Sequence, residues 1–260
     1  MDSLPKDSQF HIRTPEYLES FEPFKDPQSF NPIAEVVGTY LKENDRSSLR
    51  CLDSMAGTGI VGRKMQELSP AIRIVYQDKS QKMLSSNVYQ SKDERVLSDA
   101  TALSMAGKSF DIVFCRGGLN NVAKEDYPKI LGEWLRVLGD HGIIVLQDHF
   151  ATTEEEKTVI NQIETEVKRI EGIKDPTYVS TMEELKALIQ ELKGEVTNKK
   201  LFKARFSMKE RFLSKGIEKP DLSVISKILK AQNVIDYQDT GEDIVVMYPI
   251  TTITVKKIIP

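Results

Sequence analysis

The chain has 260 residues, 40% hydrophobic and 29% charged, with a formal net charge of −3. That length favours one domain with an elaboration over two independent ones, and the charge excludes a general pull toward nucleic acid or an anionic membrane. No apolar run approaches the ~20 residues of a membrane span, and the first seven residues lack a basic-then-apolar secretory pattern. The two cysteines, Cys51 and Cys115, fall in predicted core strands, which points to a reduced, cytoplasmic protein without a disulfide framework.

Residues 1–48 form an N-terminal extension rich in aromatic residues (Phe10, Tyr17, Phe21, Phe24, Phe30, Tyr40), with five prolines among them. A helix is predicted over 31–42, with Asn31 as N-cap and Pro32 in its first turn. The aromatic cluster is either a lid over a ligand or ordinary packing.

From residue 49 strands and helices alternate. Strands are predicted at 50–53, 72–77, 95–97, 111–115 and 142–147, and helices at 60–68, 81–91 and 127–138. Apolar strands without polar alternation, such as Gly-Ile-Ile-Val-Leu at 142–146, fit a parallel sheet covered on both faces. The pattern over 49–150 is a doubly wound α/β, Rossmann-like sheet, with ligands at the carboxyl ends of its strands. Beyond it the chain changes character. A polar helix runs from Thr153 to about 170. Ser180 and Thr181 with Glu183 and Glu184 spell a capping box for a helix over 182–192. Residues 201–208 alternate as a half-buried strand, with Phe202, Ala204, Phe206 and Met208 on one face. Two short helices follow, near 208–214 and 221–231, and a β-branched closing strand begins at Asp243. With these additions the sheet has seven strands, and 151–260 supplies a helical and strand cap after the fifth.

The chemistry concentrates at Leu52-Asp53-Ser54-Met55-Ala56-Gly57-Thr58-Gly59-Ile60-Val61-Gly62. A strand stopping at Asp53 and a turn through Gly57 and Gly59 expose bare backbone and the free N–H groups of the next helix to a ligand. A P-loop is excluded because no Lys-Ser or Lys-Thr follows Gly62. The dinucleotide fingerprint Gly-x-Gly-x-x-Gly is spelled by Gly57, Gly59 and Gly62, a weak signal alone. Asp53, four residues before Gly57, would repel a pyrophosphate but suits a ligand bearing an ammonium and a sulfonium.

This stretch resembles motif I of the class I S-adenosylmethionine (SAM) methyltransferases, with Met55 where the first glycine is usual. The likeness continues through Val75-Tyr-Gln-Asp78, Leu97-Ser-Asp99-Ala100, Phe110-Asp-Ile-Val-Phe-Cys115-Arg116 and the segment from Tyr127 to Gly142. It implies that SAM is the cofactor, held at Asp53, Met55, Ala56, Gly57 and Gly59. Asp78 holds the ribose hydroxyls, and Lys79 and Met83 lie by the adenine. Asp99 and the Ala100 N–H read the base. Cys115 and Arg116 meet the methionine part, and Tyr17 joins from the extension. No metal site is implied. The tail resembles, in layout, the group typified by ubiquinone and menaquinone biosynthesis enzymes, which implies a small-molecule acceptor, no nucleic acid or membrane partner, and a monomer or homodimer.

SAM brings its own activated methyl group, so the protein mainly aligns the acceptor and excludes water. Asp148 and His149, directly after the fifth strand, are the candidate bases; the alternative for His149 is packing beside Phe150. His141 reads as a solvated turn residue at the opposite edge; for His11, membership of an N-terminal lid is the lesser reading. Trp134 reads as core, and Met105 as either core or an adenine neighbour. Lys199, Lys200, Lys203, Arg205, Lys209 and Arg211 read as the solvated face of an edge strand, or else as an anion-receiving patch. Two other functions compete. Asp-Ser-Met-Ala-Gly-Thr-Gly resembles motif I of some nucleic-acid methyltransferases, but Cys115-Arg-Gly-Gly stands where those amino-group methylases carry Asn/Asp-Pro-Pro-Tyr. A methyltransferase-like fold can also hold SAM without consuming it while driving a cyclisation or elimination.

Overall fold

The computed structural model describes residues 27–44, 48–86, 89–174 and 177–259. The first helix, α1 (Pro27–Asn44), starts earlier than the capping pattern at Asn31 predicts, and Pro32 lies inside it. Phe30, Ile33, Val37 and Tyr40, spaced three or four apart, bury one face against the sheet. That burial outweighs the backbone hydrogen bond a helical proline forfeits.

The core elements follow in alternation: β1 (Leu49–Ser54), α2 (Ile60–Leu68), β2 (Ile72–Asp78), α3 (Gln81–Leu84), β3 (Glu94–Leu97), β4 (Phe110–Arg116), α4 (Tyr127–Val137) and β5 (Leu138–His149). The helix expected over 81–91 is a single turn. Ser80 caps its start, and the chain leaves it at Ser85; serine competes for backbone groups and is a poor helix former. The remaining elements are α5 (Glu154–Glu171), α6 (Met182–Glu191), β6 (Gly194–Ser207), α7 (Met208–Leu213), α8 (Ser223–Lys230), β7 (Tyr237–Asp239) and β8 (Ile244–Lys257). Thr181 and Glu184 complete the expected capping box of α6. The half-buried strand expected from 201 begins instead at Gly194 and pairs along nearly all of β8. Met208 leaves it to enter α7, fully buried.

Among the described residues the sheet has eight strands, not seven, in the order β3-β2-β1-β4-β5-β8-β6, with short β7 pairing with β8. β1 to β5 are mutually parallel, and β8 runs antiparallel to β5 and β6. The reversal between β2 and β4, on either side of β1, leaves a crevice where the chain exits in opposite directions, the place where such sheets hold ligands. One face packs on α1 and α2 and the other on α4 and α6. A third apolar cluster joins α5, α7 and α8 to the start of β8. Trp134 is fully buried, and its indole N–H donates to Ser54 Oγ at 2.9 Å, tying α4 to the end of β1. Among the described residues no helix is long and apolar enough to cross a membrane, and no group of metal-ligating side chains is found. Both cysteines are buried and free.

Candidate active site

An open cleft of about 960 Å³, counted to its mouth, lies at the carboxyl ends of β1 to β4. Its floor is the turn after Ser54, in which Met55, Gly57 and Gly59 all adopt left-handed backbone, with φ of 57°, 57° and 79°. At Gly59 a Cβ would stand 2.4 Å from the Tyr89 ring. The Tyr89 hydroxyl donates to the Gly57 carbonyl at 2.9 Å, so glycine admits the tyrosine that braces the turn.

Asp78 fastens the turn from the neighbouring strand. Its carboxylate accepts the N–H groups of Gly57 and Ser80, each at 2.8 Å. Burial raises its pKa while these donors hold it down. Each oxygen keeps a second lone pair, so the group can still accept from a pair of hydroxyls. Beyond β3, Asp99 Oδ1 accepts from Thr101 N and Oγ1 at 2.8 and 2.7 Å, which curls the loop and sets Ala100 on the cleft wall. At the end of β4, Arg116 lies 4.1 Å over the Phe30 ring and donates to Ser29 Oγ at 2.8 Å, joining the cleft to α1.

Nine of the residues expected to hold a cofactor line this cleft: Met55, Ala56, Gly57, Asp78, Lys79, Met83, Asp99, Ala100 and Arg116. Asp53, Gly59 and Cys115 do not. Asp53 turns beneath α2, where it accepts the Gly62 N–H at 2.9 Å, and burial lifts its carboxyl from 3.8 to about 7. It anchors the helix and is not part of the cleft lining. Cys115 points into the core below α4, and burial keeps it a thiol. Tyr17 and His11 lie outside the described residues. Met105 packs on the core away from the lining.

Asp148 and His149 line no part of the cleft. Asp148 Oδ1 accepts from the Asn120 side chain at 2.7 Å and from His149 N at 2.9 Å, and Oδ2 from Asn120 N at 3.2 Å. Burial raises it to about 7. The His149 ring lies 4.5 Å from that of Tyr248 and 5.1 Å from that of Phe206, and burial lowers its pKa to about 4. An imidazole that weakly basic is a poor proton acceptor near neutrality. The geometry therefore replaces the expected bases with a positioning carboxylate and a packed, neutral ring. Arg211 likewise leaves the predicted surface run: it is buried between Glu164 and Glu171 at 3.0 and 2.9 Å. Lys200 and Lys203 do lie on the outer strand, paired with Glu35 and Asp236.

Sequence reading missed Gln77 and Asn121, Val122 and Ile130 of the lining. Gln77 accepts from Ser54 Oγ at 2.8 Å and donates to the Ser98 carbonyl at 2.6 Å, bridging the turns after β1 and β3. A glutamine inside the apolar run Val75-Tyr-Gln was the available signal.

The comparisons agree with this geometry. Residues 52–146 match the family model described as a methyltransferase domain. The YcgJ protein of Bacillus subtilis superposes with a TM-score of 0.68 at 17% identity, covering 87% of this chain and 99% of its own. Magnesium protoporphyrin IX methyltransferase from Synechocystis, solved with bound S-adenosylhomocysteine, gives 0.52 at 14% identity, with 88% and 82% covered. The [4+2]-cyclase SpnF gives 0.55 at 16% identity, with 87% and 82% covered. No curated protein matches in sequence. At these identities the solved structures establish the fold alone, and residues 52–146 are similar to the methyltransferase domain, a family that binds S-adenosylmethionine.

Proposed function

We propose that the chain transfers the methyl group of SAM to a small-molecule acceptor. The observation that carries this reading is Asp78, buried at the end of β2, tied to the glycine turn and open to the cleft. It sits where a ribose diol would be accepted, between an adenine wall at Asp99 and Ala100 and the β4 turn at Arg116. The cofactor supplies the activated methyl group. The protein's part is to hold it rigidly, align the acceptor and keep water out.

The layout of the tail supports a place in the ubiquinone- and menaquinone-type group. On this reading residues 49–150 hold the cofactor, and 151–260 supply the acceptor-side cap and complete the sheet. Two buried free thiols fit a reducing compartment such as the cytoplasm. With no base on the lining from Asp148 or His149, the reaction rests on alignment.

Calorimetric titration of SAM and S-adenosylhomocysteine into wild type and Asp78→Ala tests the site. Micromolar binding to wild type that the variant loses is expected, and a wild type that binds neither ligand refutes the reading. An acceptor screen then follows S-adenosylhomocysteine release. Turnover of an acceptor without that release would point to a bound SAM that is not consumed.

A further inference from the structure

The strand order sets the direction in which a cofactor lies. Asp99 and Ala100 stand beyond β3, Asp78 at the end of β2, the glycine turn beyond β1, and Arg116 at the end of β4 with Gly117 and Gly118 beyond it. With adenine toward β3 and the diol at Asp78, the amino-acid end falls between the turns after β1 and β4. Met55 occupies that gap.

Met55 stands where motif I usually has its first glycine, and it keeps the left-handed backbone, at φ 57°. A side chain therefore projects where that motif provides none. It crosses to the end of β4 at the edge of the core: Met55 Sδ lies 3.9 Å from Cys115 Sγ. A Cβ at Gly118 would come within 2.8 Å of Met55 Sδ and 3.0 Å of Met55 Cβ. Gly118 is thus the hole into which this knob fits, and both residues line the cleft. Packing across the gap joins the two turns, so that a ligand seated on one fixes the other.

We propose that Met55 is a specificity-determining residue for the cofactor: seated on Gly118, its thioether forms the wall against the amino-acid end of SAM. A polarisable, uncharged thioether suits an alkyl chain beside a sulfonium. The inference rests on the cofactor reading above and assigns to one side chain a discrimination that reading does not contain.

The test titrates S-adenosylhomocysteine and 5′-methylthioadenosine, which shares the adenosine but lacks the amino-acid end, into wild type, Met55→Gly and Met55→Leu. Met55→Gly is expected to weaken S-adenosylhomocysteine by about four- to tenfold, the scale of one to two buried methylene groups of contact. Methylthioadenosine should stay within about twofold, since the adenosine half of the cleft is untouched. Met55→Leu, which restores the bulk, should recover most of the loss. Glycine accepts positive φ readily but forfeits the packing of Met55 on Gly118 and the core, so Met55→Gly should melt somewhat below wild type, and Met55→Leu, which keeps that packing, is the control for stability. Equal weakening of both ligands, or no weakening of either, overturns the proposal while leaving the cofactor reading intact. A wild type that binds neither ligand removes both.

Discussion

Replacing Asp53 by asparagine separates its structural job from any role in ligand binding. Its carboxyl is 2% exposed and accepts the Gly62 N–H. Burial, reinforced by the charge of Asp78, lifts its pKa from 3.8 to about 7 against the pull of that hydrogen bond. Between pH 4 and pH 7 the native carboxyl keeps a proton that the unfolded chain has released. The native state then binds more protons, so this group makes stability fall as pH rises through that window. Three pH units correspond to about 4 kcal/mol, an upper figure for one buried group. Asp53→Asn keeps an acceptor for Gly62 and has no charge to bury. It should therefore gain on wild type as pH is raised from 4 to 8, by up to about 4 kcal/mol, or about 10 °C in Tm for a chain of this size. Thermal melts of both proteins at pH 4, 6 and 8 read this directly. His149 works in the opposite sense between pH 4 and 6.5 but is common to both proteins and cancels. A gap in Tm that is the same at all three pH values would refute the reasoning.

Two further substitutions probe the cap. Arg211→Met leaves Glu164 and Glu171 without the guanidinium they share, at 3.0 and 2.9 Å, and should cost about 3–5 kcal/mol by urea unfolding; a loss below 1 kcal/mol would show that the network relaxes. At Glu184, burial acts to raise the pKa, but the Thr181 N–H, the Tyr178 hydroxyl, Lys157 and Lys124 outweigh it and hold the group down to about 2. Its contribution is present above pH 4.5 and is lost as pH falls toward 2. Glu184→Gln should thus be less stable than wild type at pH 7 and converge with it near pH 2, as followed by circular dichroism.

How far the sequence could be read depended on what each residue answers to. The five parallel strands and α2 answer to local apolar runs and a glycine turn, and they lie where those signals place them. Asp78 and Asp99 were visible because the first closes a strand and the second follows one by two residues. The orientation of Asp53 was not visible: a carboxylate before a glycine turn can face a ligand or the helix behind it. Only the packing of Gly62 against Tyr76 and Ile74, with room for no Cβ, decides in favour of the helix. His149 misled for the same reason. Its position at a strand end is local information, whereas its ring partners Tyr248 and Phe206 come from β8 and β6, far along the chain. Short β7 carries too few apolar residues to register before its pairing with β8 is known.

Asp148 shows how the two halves of the molecule are joined. It receives Asn120, which stands on the turn after β4 beside the cleft. The Asn120 carbonyl in turn accepts the Thr177 hydroxyl at 2.7 Å, and the Tyr127 hydroxyl donates to the Tyr178 carbonyl at 2.7 Å. Tyr178 and Thr181 then converge on Glu184 at the start of α6. A set of hydrogen bonds thus runs from the turn after β4 to the segment leading into α6. Its members are buried or half-buried, where an unpaired polar group is costly, so they hold one arrangement together. The carboxylate that sequence placed in the chemistry instead holds backbone beside the cleft, and the segment leading into α6 is registered to the turn after β4 through it.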